Sequence, residues 1–191
     1  MPRFAFAPPH PRHALRVALS HHVANGLSAA LGLLLISGAV HLWLGALAAA
    51  AASVGVVVCI PPDQPAPRRG KLRQLLPAAL LGLPLFLGTR LLHGDALQLG
   101  LLLLPATFIA FLAAAWGKRG IPLSVSIMFA MLFAMAMPAH DGIAPVLASS
   151  LHFALGAGLY LLWATLANAL LGGRYRVQLL ADTLLALSEL M

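Results

Sequence analysis

The chain is 191 residues long, 61% apolar and only 9% charged, where an ordinary soluble domain is about half apolar and a quarter charged. Too few charged side chains are present to solvate an exterior, so the surface must meet an apolar medium, and a lipid bilayer supplies one. A net charge of +7 does not make the chain a nucleic-acid binder, because its basic residues stand between apolar runs and not on a polar surface with groove-reading or base-stacking elements.

A hydrocarbon core roughly 30 Å thick needs about 20 apolar residues in helical form, and six runs approach that length. Residues 1–16 are a basic N terminus carrying Arg3, Arg12 and Arg16. The first run, Val17–Val40, contains His21, His22 and Asn25 near its start; His21 and Asn25 are four apart and share one helix face. An alternative reading of this start is a signal peptide with a small-residue site at Ser37-Gly38-Ala39, whose removal leaves five spans. The second run, Leu42–Ile60, carries Gly45, Ala49 and Ser53 at every fourth position, a small-residue ridge of the kind that lets helices approach in lipid. Cys59, the lone cysteine, excludes a disulfide framework within one chain and a cysteine-based zinc site.

Pro61-Pro62-Asp63-Gln64-Pro65-Ala66-Pro67 ends the second run and leads into Arg68, Arg69, Lys71 and Arg73. The third run, Leu75–Leu92, holds Pro84 in its middle, and the fourth, Leu97–Trp116, holds Pro105. Each proline is either a structural kink or a break that bends a helix around a substrate. His93-Gly94-Asp95 separates these runs, and Gly117-Lys118-Arg119-Gly120 follows them. The fifth run is Ile121–Met137, and Pro138 to Gly142 leads into the sixth, Ile143–Leu171. That last run carries His152, Asn168 and a second small-residue pair, Ala154 with Gly158. After Gly172-Gly173, residues 174–191 space Val177, Leu180, Leu184, Leu187 and Met191 as an amphipathic helix. It reads as the start of a further cytoplasmic domain.

Placing the N terminus inside puts eleven of the twelve Lys and Arg residues on the cytoplasmic side of the membrane, with Arg90 the exception at a helix end from which it can snorkel. Both termini are then cytoplasmic and the fold class is an all-α membrane bundle, with residues 17–173 as its transmembrane domain. Polar groups inside a bilayer are costly and mark function, which singles out His21, His22, Asn25, His152 and Asn168 as a candidate substrate path. The plainer alternative for each is interfacial solvation or a hydrogen bond to a neighbouring helix. Arg68, Arg69, Lys71, Arg73, Lys118 and Arg119 form a positive inner surface that would concentrate an anion. His41, His93 and His140 fall in separate external loops without metal-ligand spacing. All five acidic residues read as loop or tail positions, and no carboxylate pair, nucleophile motif, phosphate loop or HExxH motif is present, so neither an enzyme nor a resident cofactor or metal is expected.

The order of features carries a resemblance. A basic N terminus and first span precede a second span opening Trp43-Leu44-Gly45-Ala46-Leu47. A basic loop, Arg68-Arg69-Gly70-Lys71-Leu72, precedes the third, and the last span runs Leu159-Tyr160-Leu161-Leu162-Trp163 into Arg174-Tyr175-Arg176. In this the chain resembles the N-terminal membrane half of the fusaric-acid-resistance (FUSC) family, which includes bacterial aromatic carboxylic acid exporters and is similar to plant aluminium-activated malate transporters. The resemblance implies an inner-membrane exporter of small organic anions, working as a homo-oligomer or within a larger assembly. A reading from a different class is a non-transporting membrane subunit that assembles with partner proteins.

Overall fold

The computed structural model describes residues 21–64, 70–117, 120–138 and 142–189. Six helices run through them: α1 (His21–Leu44), α2 (Ala46–Cys59), α3 (Lys71–Leu91), α4 (Ala96–Ala114), α5 (Gly120–Ala136) and α6 (Ile143–Glu189). Four of these are long and apolar enough to cross a membrane; α2 and α5 are shorter. Leucines and aromatics such as Leu34, Leu80, Leu101, Phe108 and Leu162 point outward over most of the surface, which fits a protein whose solvent is lipid.

The first turn falls later than expected, at Gly45 and not near His41, so His41 lies in the last turn of α1. Gly45 has φ 88°, a backbone state open to glycine at little cost, and this lets α2 fold back on α1 after a single residue. Gly45 therefore belongs to the turn and not to a packing ridge. Ala49 is buried, and Ser53 hydrogen-bonds Ser37 across the α1–α2 contact at 2.7 Å. Ser37 with Ser53, and Asn25 with Asp63, lie nearly equally far from Gly45, so the pair is an antiparallel hairpin. With Ala29, Ile36 and Val40 buried in the common core, α1 is a layer of the bundle.

α2 sits at the centre and packs most extensively on α6. Their backbones nearly touch where Gly55 faces Phe153 and Gly156 faces Ala52. The expected Ala154 and Gly158 ridge is displaced: Gly158 faces open space, and Gly156 makes the approach instead. Phe86 of α3 stacks on Phe153 with ring centroids 4.8 Å apart, and Gly82 lies against Val58, Phe153 and Ala130. α3 and α5 run parallel, since Gly82 meets Ala130 and Arg90 meets Pro138. α4 is peripheral, held to α5 by a smaller cluster of Ala106, Ala110, Ile127 and Met131. Its start is capped by Asp95, which accepts from the amides of Leu97 and Gln98 at 2.9 and 3.2 Å.

One alternative drops out here and two expectations change. α3 and α4 continue unbroken through Pro84 and Pro105, both exposed on outer faces, so neither helix is interrupted around a substrate. Arg90 does not snorkel: it is 4% exposed and its Nη1 donates to the Pro138 carbonyl at 2.7 Å. The sixth helix does not stop at Gly172-Gly173 but extends 47 residues to Glu189, about 70 Å at 1.5 Å per residue. Glycine in a helix costs only about 1 kcal/mol relative to alanine, and without a proline two glycines do not end it.

Candidate functional site

One end of the bundle gathers polar side chains that the apolar runs hold apart in the chain. The start of α1, the segment after α2, the start of α3 and the middle of α6 meet there. α1 brings Asn25 and Ser28, the α2–α3 connection brings Asp63, α3 brings Lys71, and α6 brings Tyr160 and Asn168. Prolines 61 and 62 stop α2 one turn before Asp63. A backbone bond from the Asp63 amide to the Ile60 carbonyl at 2.9 Å then folds the aspartate back over the helix end.

Asp63 and Lys71 are both withdrawn from solvent, at 8% and 2% exposure, and form an ion pair through Oδ1 and Nζ. The other carboxylate oxygen, Oδ2, accepts from the Tyr160 hydroxyl at 2.6 Å. Lys71 Nζ donates also to the Gln64 carbonyl at 2.7 Å, and Asn25 Nδ2 donates to the carbonyl of Asp63. Nearby, the Trp163 indole donates to the Ser28 carbonyl at 2.8 Å and ties α6 to α1. Lys71 is the first residue of α3, where the helix dipole disfavours a cation by about 0.3–1 kcal/mol. Asp63 offsets that placement.

Burying two charges costs several kcal/mol each, recovered only when the pair is close and its remaining hydrogen-bonding capacity is met. Tyr160, on the carboxylate, and the Gln64 carbonyl, on the ammonium, meet part of it here. The cleft bounded by Asn25, Ser28, Asp63, Lys71, Ala164, Ala167 and Asn168 has room of about 10 Å³, near the size of one water site. In this arrangement it holds no space for an aromatic acid, and the carboxylate beside Lys71 is the protein's own.

Of the residues singled out from sequence, the structure brings together Asn25 and Asn168. His152 is half-buried on α6 and lies 16 positions before Asn168, about 24 Å along the helix axis, so it is not part of this cluster. His21 and His22 are in the opening turn of α1, but their side chains lie outside the described residues, as do Arg68, Arg69, Lys118 and Arg119. Arg73 is exposed. Lys71 is a correction: expected on an open basic surface, it is buried against Asp63. Asp63, read as a loop residue, and Tyr160, quoted only as part of an apolar stretch, are the members of the cluster that sequence reasoning missed. The available signal was Asp63 itself, a lone acid directly before a basic loop.

Among the described residues no group of three histidine, cysteine or acidic side chains is placed to hold a metal. The family model for FUSC-like inner membrane protein yccS matches residues 80–191, more than half of the chain. The match covers most of α3 and all of α4 to α6, including Tyr160 and Asn168, while Asp63 and Lys71 precede it. No curated protein and no solved structure matches the chain.

Proposed function

The chain belongs to the FUSC-like inner membrane protein family, and from that premise we propose that it is the membrane part of a transporter that exports small organic anions, aromatic carboxylates among them. The observation that carries the reading is the family match over residues 80–191, and the end of the bundle where several helices converge on Asp63 and Lys71 is the candidate place for an anion to approach. Lysine offers a compact charge that recognises a carboxylate from any acid. Nothing in the reading requires a bond to be made or broken, and the role is movement and not catalysis.

The bundle spans the membrane six times with both termini in the cytoplasm. Arg73 and Lys71 stand at the same end as the start of α1 and the extended half of α6, and the Lys and Arg that the sequence places before α1, before and in α3 and in α6 support that end as cytoplasmic. Exposed basic groups there raise the local concentration of an anion before it enters, an effect that weakens with salt. The chain works as an oligomer in this reading, and α4, which among the described residues packs mainly on α5 and the edge of α3, is the helix with most room for a neighbour. The same helix favours the second reading, a membrane subunit whose role is assembly with partner proteins.

The deciding experiment is retention of labelled hydroxybenzoate in preloaded cells that do or do not express the full-length chain. Faster loss on expression supports export. Equal loss across several organic acids, with the protein present in the membrane, sinks it in favour of the assembly reading.

A further inference from the structure

The cleft shared by Asn25, Lys71 and Asn168 marks a level in the bundle. From Lys71, α3 runs 21 residues to Leu91, about 31 Å at 1.5 Å per residue and so the thickness of a hydrocarbon core. A bilayer matched to α3 ends beside this cleft. α6 does not end there, since its helix continues from Asn168 to Glu189, about 31 Å further. At this level the two sides of α6 differ. Asn168 is 6% exposed and faces the bundle, while Leu166 and Leu170, on the opposite side, are 61% and 82% exposed. Leu151, Leu155 and Leu162 are exposed higher on that same side, so among the described residues no other helix covers it.

The sequence carries this side onward. After Leu166 come Leu170, Gly173, Val177, Leu180, Leu184 and Leu187, in alternating steps of four and three. The tail alone is too short for a coiled coil, but α6 is unbroken through Gly172-Gly173, which joins the exposed leucines of the bundle to those of the tail. The joined repeat spans three heptads, the length at which the pattern reads as a coiled coil. Leu170, Val177 and Leu184 take position a, and Leu166, Gly173, Leu180 and Leu187 take position d. Asn168, Tyr175, Asp182 and Glu189 fall at f, farthest from the seam. A separate amphipathic tail could lie flat on the lipid surface. A helix that has just crossed the bilayer cannot do so without a break, and beyond the cleft there is no hydrocarbon left to cover the stripe.

We propose that the occupant of this stripe is the same stripe of a second copy of the chain, so that two α6 helices pair in parallel from Leu166 to Leu187 as a two-stranded coiled coil. Copies inserted with one orientation bring α6 out of the membrane on the same side, at the same height and in the same direction, which is the alignment a parallel, in-register seam needs. Val177 at a with Leu180 and Leu187 at d favour two strands over three. In a parallel pair each g position faces the next e position of the partner, which sets Arg176 against the partner's Ala181 and Ala169 against the partner's Arg174, so no like charges meet. Gly173 leaves one layer of the seam without a side chain. The proposal names the partner and the surface in the oligomer reading given above and rests on that reading, not on transport.

Cysteine cross-linking of the full-length chain in isolated membranes reads the seam directly. With Cys59→Ala removing the single cysteine, Leu180→Cys and Leu184→Cys are expected to give a disulfide-linked band at twice the mass of the chain under mild oxidation. Tyr175→Cys and Asp182→Cys, at f, are expected to stay at the mass of one chain. No doubled band at the seam positions, equal bands at seam and f positions, or a band at another mass overturns the coiled coil between copies. Stepwise photobleaching of the labelled chain in membranes adds the oligomeric state. Leu180→Glu with Leu184→Glu is expected to raise the dissociation constant on the order of a hundredfold or more, since each copy loses two buried leucines. Dimers that become monomers in this variant uphold the seam. Dimers that persist in it overturn the seam and leave the oligomer reading standing with its contact elsewhere, and a chain that is monomeric before substitution overturns both.

Discussion

Replacing Gly156 with alanine tests the central helix contact. An added methyl carbon would stand 2.0 Å from the Ala52 carbonyl oxygen and 2.6 Å from its carbon. Carbon and oxygen rest about 3.3 Å apart at their closest comfortable approach, so α2 and α6 must separate locally by about 1.3 Å. A gap of that size removes about half of each dispersion contact across it, and with on the order of 40 atom pairs at about 0.15 kcal/mol the loss is about 3 kcal/mol. Alanine returns up to about 1 kcal/mol through its helix propensity, for a net destabilisation of about 2 kcal/mol. Gly158→Ala is the internal control. It lies two residues away with nothing within 4 Å, and it is expected to stabilise by up to about 1 kcal/mol. Reversible unfolding in mixed micelles, followed by helical circular dichroism, reads both. Equal effects of the two substitutions, or a stabilised Gly156→Ala, would refute the close crossing of α2 on α6.

Lys71→Met strands the buried Asp63 carboxylate and is expected to cost about 3–5 kcal/mol, while the double variant Lys71→Met, Asp63→Leu recovers most of it because no unpaired charge remains; thermal unfolding in detergent distinguishes them, and a mild single variant would show the pair to be open to solvent. Cys59, the single cysteine, is fully buried, so a native protein should react slowly with maleimide and give a clean background for topology. On that background an impermeant maleimide added to intact cells should label Gly94→Cys and spare Arg73→Cys, and the opposite pattern would invert the membrane orientation. Asp95→Ala removes the cap of α4 and should lower stability by about 1 kcal/mol in the same unfolding assay, with no change if the Asp95 bonds to Leu97 and Gln98 are not formed.

The positions of the helices were legible because hydropathy is a local property. Each of the six apolar runs overlaps one helix, and the errors are confined to ends. The turn at Gly45 came four residues later than the charge pattern suggested because the φ 88° backbone, and not the flanking polarity, sets where the chain can reverse. The join between the sixth run and the tail was misread because two glycines carry a smaller penalty than a break requires. Of the candidate polar residues, Asn25 and Asn168 converge because antiparallel α1 and α6 bring an early and a late position to one end, whereas His152 belongs to another level of α6.

Sequence by itself determined the solvent of this protein, its all-helical class and the ends at which charge collects, since each depends on how many apolar residues stand in a row and on what interrupts them. Helix faces were a different matter. Spans apolar all round carry no stripe to say which side is inward, so Gly156 and Gly158 look alike until α2 is laid beside them. The pairing of Asp63 with Tyr160 joins residues 97 positions apart, and the burial of Lys71 depends on that pairing. Those were decided by tertiary structure alone, because a buried charge is tolerated only where a second helix carries its partner to within hydrogen-bonding reach.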